Sequence, residues 1–340
     1  MGDHCMAAYA AWNNDQAERM KSSSGGIFSA LAREIFCEKG IVYGVSETER
    51  GLNFQRAICM EDIVPMRGSK YYQADTSVFD IGILYRDVET MHPVLLVGTS
   101  CQIGMFNAVL REKYGNIPEN VWLIDLICHG VGSEKSMKIY RKEMEERHGT
   151  LMKHTFRNKK EGRCGSQFSE YVHKDGAVYQ KENERDYYMR LFFYGILLRP
   201  SCYQCRYAGV VRYSDISIGD FNGSDRVVQI YPDSTHCVSS VLVNSCKGSE
   251  LMNRIVRKRF ISLVPTTYEI IASQNLPLLQ PTKRPWVRNF SFKWMDQLGF
   301  IRTSRILGSK YYIKMAIRKA GGERLLNVLK KMLGRTMIEH

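Results

Sequence analysis

Four cysteines in three short contexts carry the chemistry this chain is equipped to do. They are Cys101 in Gly98-Thr99-Ser100-Cys101-Gln102, Cys128 in Asp125-Leu126-Ile127-Cys128-His129-Gly130, and the pair Cys202 and Cys205 in Arg199-Pro200-Ser201-Cys202-Tyr203-Gln204-Cys205. Four thiolates are what a [4Fe–4S] cluster requires. A lone Cys-x-x-Cys pair is a weak signal. Cys101 and Cys128 strengthen it, because each follows an apolar strand-like run and each lies within three residues of a glycine. If the four converge, the protein transfers electrons. Zinc is the rival reading, but it favours two Cys-x-x-Cys knuckles or added histidines. Here there is one knuckle, and His129 directly follows Cys128. A site without metal is the third alternative.

The remaining cysteines are read differently. Ten in 340 residues are too few for a disulfide scaffold. Their scatter fits a reducing cytoplasm, where thiols are core residues or metal ligands. Cys37, Cys59 and Cys246 sit in helix or strand patterns and read as core thiols. Cys164 and Cys237 are unassigned between these roles.

The elements that must position the four cysteines are legible as an α/β alternation. Val94-Leu95-Leu96-Val97 and Val121 to Ile127 are continuous apolar runs, as expected of parallel strands covered on both faces. Cys101 and Cys128 follow their carboxyl ends, where ligands of such sheets bind. Residues 102–113 read as a helix, and Ser133 caps another running to Arg147. Upstream, residues 1–20 read as a polar lead-in. Serines at the capping positions of Lys21-Ser22-Ser23-Ser24-Gly25-Gly26 open an amphipathic helix from Ile27 to Lys39. Strands are expected over 41–45 and 52–60. Residues 150–182 shift to short strands with a hairpin at Asp175-Gly176. Residues 185–197 read as helix, 214–221 and 239–244 as strands, and Ser249 caps a helix to Lys258. The expected domain order is a lead-in over 1–20, an α/β core over 21–150, a second half over 151–265 that completes it, and a basic tail over 266–340.

Composition sets outer limits. Hydrophobic content of 44% and charged content of 24% are ordinary for a globular chain. No run of 18 apolar residues marks a membrane span, and the N-terminus lacks a signal-peptide or myristoylation pattern. The expected location is the cytoplasm. From Lys283 to Arg335 there are fourteen Lys and Arg, against only Asp296, Glu323 and Glu339 after residue 282. That segment holds most of the net charge of +13. Apolar residues such as Ile313, Ile317, Leu325 and Leu329 alternate with these cations. Such helices pack on a domain or a partner, or lie on an anionic membrane surface as a peripheral contact. Basicity confined to a tail, with no recognised binding fold, argues against nucleic acid as partner.

Six motifs in order resemble the beta subunit family of coenzyme F420 hydrogenase and dehydrogenase. They are Ser22 to Phe28, Gly68 to Tyr71, Gly98 to Ile103, Asp125 to Gly130, Arg199 to Cys205 and Ser214 to Asp220. The resemblance spans roughly residues 9–265. It implies a mixed or parallel α/β sheet as FAD-binding core, inserted short strands and a [4Fe–4S] cluster on Cys101, Cys128, Cys202 and Cys205. It places FAD against Ser22, Ser23, Ser24, Gly25, Gly26, Ser69, Lys70, Tyr71, Gly98, Thr99 and Gln102. Of the other candidate polar groups, Asp125, Arg157, Arg212, Asp215 and Asp220, Arg157 and Asp220 are favoured as flavin or substrate contacts. A helix start at Gly25-Gly26 offers N–H groups and a positive dipole end to phosphate. Lys70 would neutralise the pyrophosphate or the reduced flavin, and Tyr71 would stack. His129, able to titrate near neutrality, is the candidate proton donor.

Three positions depart from the family pattern: Ser100 and Gly132 where proline is usual, and Asn222 where an aromatic is usual. Many relatives begin with a ferredoxin-like segment of clustered Cys-x-x-Cys repeats, whereas here only Cys5 precedes residue 37. Electrons are therefore expected from ferredoxin or another carrier protein. Short basic relatives accompany enzymes of bacterial surface-polysaccharide synthesis, so a small-molecule or sugar-linked substrate is expected. A non-catalytic electron-transfer subunit is the alternative.

Overall fold

The computed structural model describes residues 7–48, 51–160, 163–221 and 237–308. They fall into two compact units, each discontinuous in sequence. The first comprises Met1–Val131, Thr155–Phe168 and Pro200–Thr282, the second Gly132–His154, Ser169–Arg199 and Lys283–His340.

The first unit is built on an eight-stranded mixed sheet. Its strands are β1 (Ala7–Asn13), β2 (Ile41–Thr48), β3 (Gly51–Ala57), β4 (Val94–Thr99), β5 (Val121–Leu126), β9 (Ile216–Asp220), β10 (Ser239–Val243) and β11 (Ile261–Thr266), in the order β11-β1-β10-β9-β5-β4-β2-β3. The central run β2-β4-β5-β9 is parallel. β10, β1 and β11 continue it antiparallel on one side, and β3 closes the other.

Side chains alternate between two cores, as the period of a strand demands. Leu95, Val97, Trp122, Ile124, Val241 and Val243 face α2 (Ile27–Cys37) and α7 (Cys246–Arg257), which supply Leu31, Ile35, Leu251 and Ile255. Val94, Leu96, Val121 and Leu123 face the other way, against Leu84 and Val88 of α3 (Ile81–Glu89) and Ile103, Phe106 and Leu110 of α4 (Ser100–Tyr114). Both faces are covered, which is why β4 and β5 read as continuous apolar runs.

The second unit contains α5 (Glu134–His148), β8 (Val178–Glu182), α6 (Tyr187–Phe193), α9 (Arg288–Leu298) and a helix over 300–308. The long strands β6 (Leu151–Lys160) and β7 (Arg163–His173) form a three-stranded sheet with β8 and contribute residues to both units. Within the second unit a buried polar group is fully used. Tyr171 donates to Asp186, Tyr140 lies 2.7 Å from the Tyr171 hydroxyl, and Asp186 caps α6 by accepting from Tyr188 and Met189. Burial pushes His154, stacked on Tyr171, down to about 3.

Several expectations are corrected. Residues 7–13 are not a lead-in but the inner strand β1, paired on both sides with β10 and β11. Its alanines have little intrinsic strand preference; two-sided pairing and burial hold it in place. α1 (Gln16–Lys21) follows, capped by Asp15. No serine caps α2. Its N-cap is Gly26 at φ 80°, and Ser22 and Ser24 donate instead to the carbonyls of Glu18 and Val238. α7 begins four residues earlier than expected, capped by Ser245 rather than Ser249. Cys37 and Cys246 are exposed and Cys59 half-buried, so none of them is a core thiol. Cys237 is buried and disulfide-bonded, not a free thiol. The tail from 309 onward and Asn222 lie outside the described residues, as does the side chain of Cys164.

Candidate functional site

The cysteines are delivered by neighbouring elements of the first unit. β4 and β5 pair in parallel with Thr99 opposite Leu126. Cys101 therefore lies in the first turn of α4, and Cys128 lies two residues beyond β5. Thr99 and Gln102 form the capping box that fixes the start of α4, with the Thr99 N–H donating to Gln102 Oε1 at 2.8 Å. Thr99 Oγ1 lies 3.3 Å from Cys101 Sγ. Cys202 and Cys205 come from a 3-10 turn over Pro200–Gln204 and the residue after it.

A glycine brings that turn to α4. A Cβ on Gly104 would lie 2.1 Å from the Tyr207 ring, so Tyr207 rests where a side chain would stand. We expect Gly104→Ala to push Tyr207 off α4 and lower iron retention severalfold while the core folds, read by iron analysis beside a thermal melt.

The four thiols are free and half-buried, and Cys128 lies within electrostatic reach of the other three. Burial pushes Cys128 up to about 12, and Cys101, Cys202 and Cys205 add to the rise, while the Gly130 N–H donates to it and opposes it. Among the described residues, no group of three or more His, Cys, Asp or Glu is arranged around a single-ion position. The grouping of the cysteines therefore rests on the effect of the other three on Cys128. His129 follows at this rim, where the Thr282 hydroxyl donates to its carbonyl at 2.6 Å and lies 3.4 Å from Nδ1.

A second set of predicted residues meets beside the start of α2. Ser69 donates to Ser23 at 2.8 Å. Lys70 Nζ donates to the carbonyls of Met66, Arg67 and Gly68. Arg157 donates to Asp220 at 2.8 Å, to Gln167 at 2.7 Å and to Tyr71 at 3.4 Å. Burial would lower the Arg157 pKa, but Tyr71 and Asp220 hold it above its usual value. Gly25 is needed for close approach: a Cβ there would lie 2.6 Å from the Ala11 carbonyl. Its N–H donates to Ser239 Oγ, so it is not offered to a ligand. Gly98 is tight for a similar reason, with Gln102 and Phe54 within 3.1 Å of a would-be Cβ. Unlike α1, α3, α5, α6, α7 and α8 (Tyr268–Gln274), α2 has no side-chain cap. Its first N–H groups thus suit an anion.

Sequence reasoning missed Lys159. Its Nζ donates to the carbonyls of Arg19 and Ser24 at 3.0 Å and approaches Cys237 Sγ at 3.2 Å. Burial, then Arg157, pushes it down to about 7. A lysine on a predicted strand gives no local signal of such a fate.

Lys70 is pushed down to about 8 by burial, with Glu47 opposing. The unfolded chain, with Lys70 at 10.5, then binds more protons than the folded one between these values. Stability should therefore rise with pH across that window. Lys70→Met should flatten the rise, which urea midpoints at its two ends would measure.

Over residues 91–269 the chain matches the family model that describes the C terminus of the coenzyme F420 hydrogenase/dehydrogenase beta subunit. No curated protein matches the sequence. Among solved structures it is similar to a chain of the xenon-derivatized F420-reducing [NiFe] hydrogenase complex from Methanosarcina barkeri. That match has 19% identity and a TM-score of 0.52, and covers 81% of this chain and 89% of the other. At that identity the likeness speaks for the fold, and the family match over more than half of the sequence carries the rest: the chain belongs to the coenzyme F420 hydrogenase/dehydrogenase beta subunit family.

Proposed function

We propose that this protein is an iron–sulfur flavoprotein oxidoreductase, with a [4Fe–4S] cluster on Cys101, Cys128, Cys202 and Cys205 and FAD beside the start of α2. Four free thiols drawn from three segments, with Cys128 in electrostatic reach of Cys101, Cys202 and Cys205, carry this reading. The donor set fits the cluster, which takes four thiolates and spreads them wider than one ion would. The uncapped start of α2 fits the FAD pyrophosphate. When bound, the cluster supplies one-electron transfer and the flavin hydride transfer.

The chain's own residues have distinct tasks. Ser22, Ser23, Ser24, Gly25 and Gly26 shape the loop before α2, and Ser69 ties the 67–71 loop to it through Ser23. Lys70 holds a positive charge against the cofactor face below about pH 8. Tyr71, Arg157 and Asp220 form one hydrogen-bonded wall. Gly98, Thr99 and Gln102 fix the strand end that carries Cys101. His129 is the proposed proton donor, and Thr282 holds its backbone.

The substrate we propose is a small or sugar-linked organic acceptor, with ferredoxin or another carrier supplying electrons. The relation to surface-polysaccharide synthesis, and a peripheral membrane contact through the basic tail, rest on the resemblance and the charge. No helix among the described residues is long and apolar enough to cross a membrane. A non-catalytic electron-transfer subunit is the second reading, favoured by the similar chain's place in a hydrogenase complex. Anaerobic turnover with reduced ferredoxin and candidate acceptors separates the two. Substrate-dependent reoxidation of the flavin supports the enzyme, and a loaded but inert protein supports the second reading.

A further inference from the structure

A single buried guanidinium links the segments that deliver the cysteines. The Arg212 side chain is 4% exposed and pairs with Asp125, which is 2% exposed. From there it reaches three places. Its Nη2 donates to Ser100 Oγ at 2.8 Å, beside Cys101. Its Nη1 donates to the Tyr207 carbonyl at 3.3 Å, two residues past Cys205. Its Nε donates to Ser217 Oγ at 3.2 Å on β9. Asp125 sits on β5, three residues before Cys128, and its other oxygen accepts from Ser214 at 2.8 Å. Ser100 in turn donates to the Leu126 carbonyl at 3.2 Å.

The register explains why one side chain spans so much. Gly98, Asp125 and Ser217 lie side by side on β4, β5 and β9. A cation at that row touches the exits of β4 and β5 together. The 205–212 segment then folds back over the row, and Arg212 is its anchor. A planar fork with several donors suits this task, and an ammonium does not.

We infer that Arg212 is a positioning residue for the four-thiolate site. It holds the Cys202–Cys205 segment against the exits that carry Cys101 and Cys128, and with Asp125 it sets the charge beside them. The inference deepens, and rests on, the cluster reading above. Two effects follow. Loss of the fork loosens the ligand set. Loss of one charge of the pair leaves the other uncompensated in a poorly screened place. A negative charge left behind disfavours adding an electron nearby, and a positive one favours it.

The test compares wild type with Arg212→Lys, Arg212→Gln and Asp125→Asn, all purified without oxygen. Iron content, the rate of iron loss to a chelator and the cluster midpoint potential are read, beside a circular dichroism melt. Both Arg212 variants should release iron severalfold faster than wild type. The potential should move negative in Arg212→Gln and positive in Asp125→Asn, with Arg212→Lys nearer wild type. Should Arg212→Gln fail to fold, Arg212→Lys and Asp125→Asn still decide. A loaded wild type whose variants keep its iron-release rate, or whose Arg212→Gln and Asp125→Asn shifts share one sign, overturns the inference and leaves the cluster reading intact. A wild type that binds no iron overturns both.

Discussion

Cys202→Ser, purified without oxygen, should retain less than about a tenth of the wild-type iron, because a cubane cluster needs all four of its thiolates and serine is a poor substitute. The position makes the loss severe. Cys202 lies in a short 3-10 turn, and the other thiols come from two different strand exits and the end of that turn. Among the described free cysteines the remaining three are Cys37, Cys59 and Cys246, of which Cys37 and Cys246 are exposed. None of them adjoins the ligand segments in sequence. Cys246→Ser is the matched control and should keep full iron. Iron analysis and the visible absorption of both proteins provide the readout.

The second large effect is expected at Arg157. Its side chain is 10% exposed, while its partner Asp220 is 38% exposed. Arg157→Met removes the buried charge and leaves a carboxylate that can still reach water. Asp220→Asn does the reverse and strands a buried cation, so it should be the more destabilising of the two, by about 2–4 kcal/mol against a smaller cost for Arg157→Met. Both variants should bind FAD at least about tenfold more weakly, since Tyr71 loses its guanidinium neighbour or that neighbour loses its anchor. Urea melts of the flavin-free proteins and a flavin fluorescence titration separate the two effects.

The legible part of this site was the part written in local sequence. β4 and β5 announced themselves as apolar runs, because helices cover both faces of the sheet. The cysteines at their ends followed from that placement. That Arg157 bonds both Tyr71 and Asp220 was not legible in the sequence, which offered Arg157 and Asp220 only as candidate flavin or substrate contacts. What stayed hidden depends on distant segments meeting. Lys159 looks like an ordinary cation until β6 is laid beside the 19–24 segment, and Arg212, a candidate polar group in the sequence, shows what it joins only when the 205–212 segment returns over β5. The roles of the α2 serines were misjudged for a similar reason. Gly26 adopts the left-handed cap conformation, and the hydroxyls of Ser22 and Ser24 turn to carbonyls of Glu18 and Val238. β1 was missed because alanine carries almost no strand signal, and its place is set by partners more than two hundred residues away.

The most direct test of the central claim is anaerobic purification of the whole chain, followed by a visible spectrum with iron and flavin analysis. The expected result is flavin bands over a broad thiolate-to-iron absorption, with about four irons per chain and one flavin. A colourless protein holding neither iron nor flavin under those conditions would contradict it.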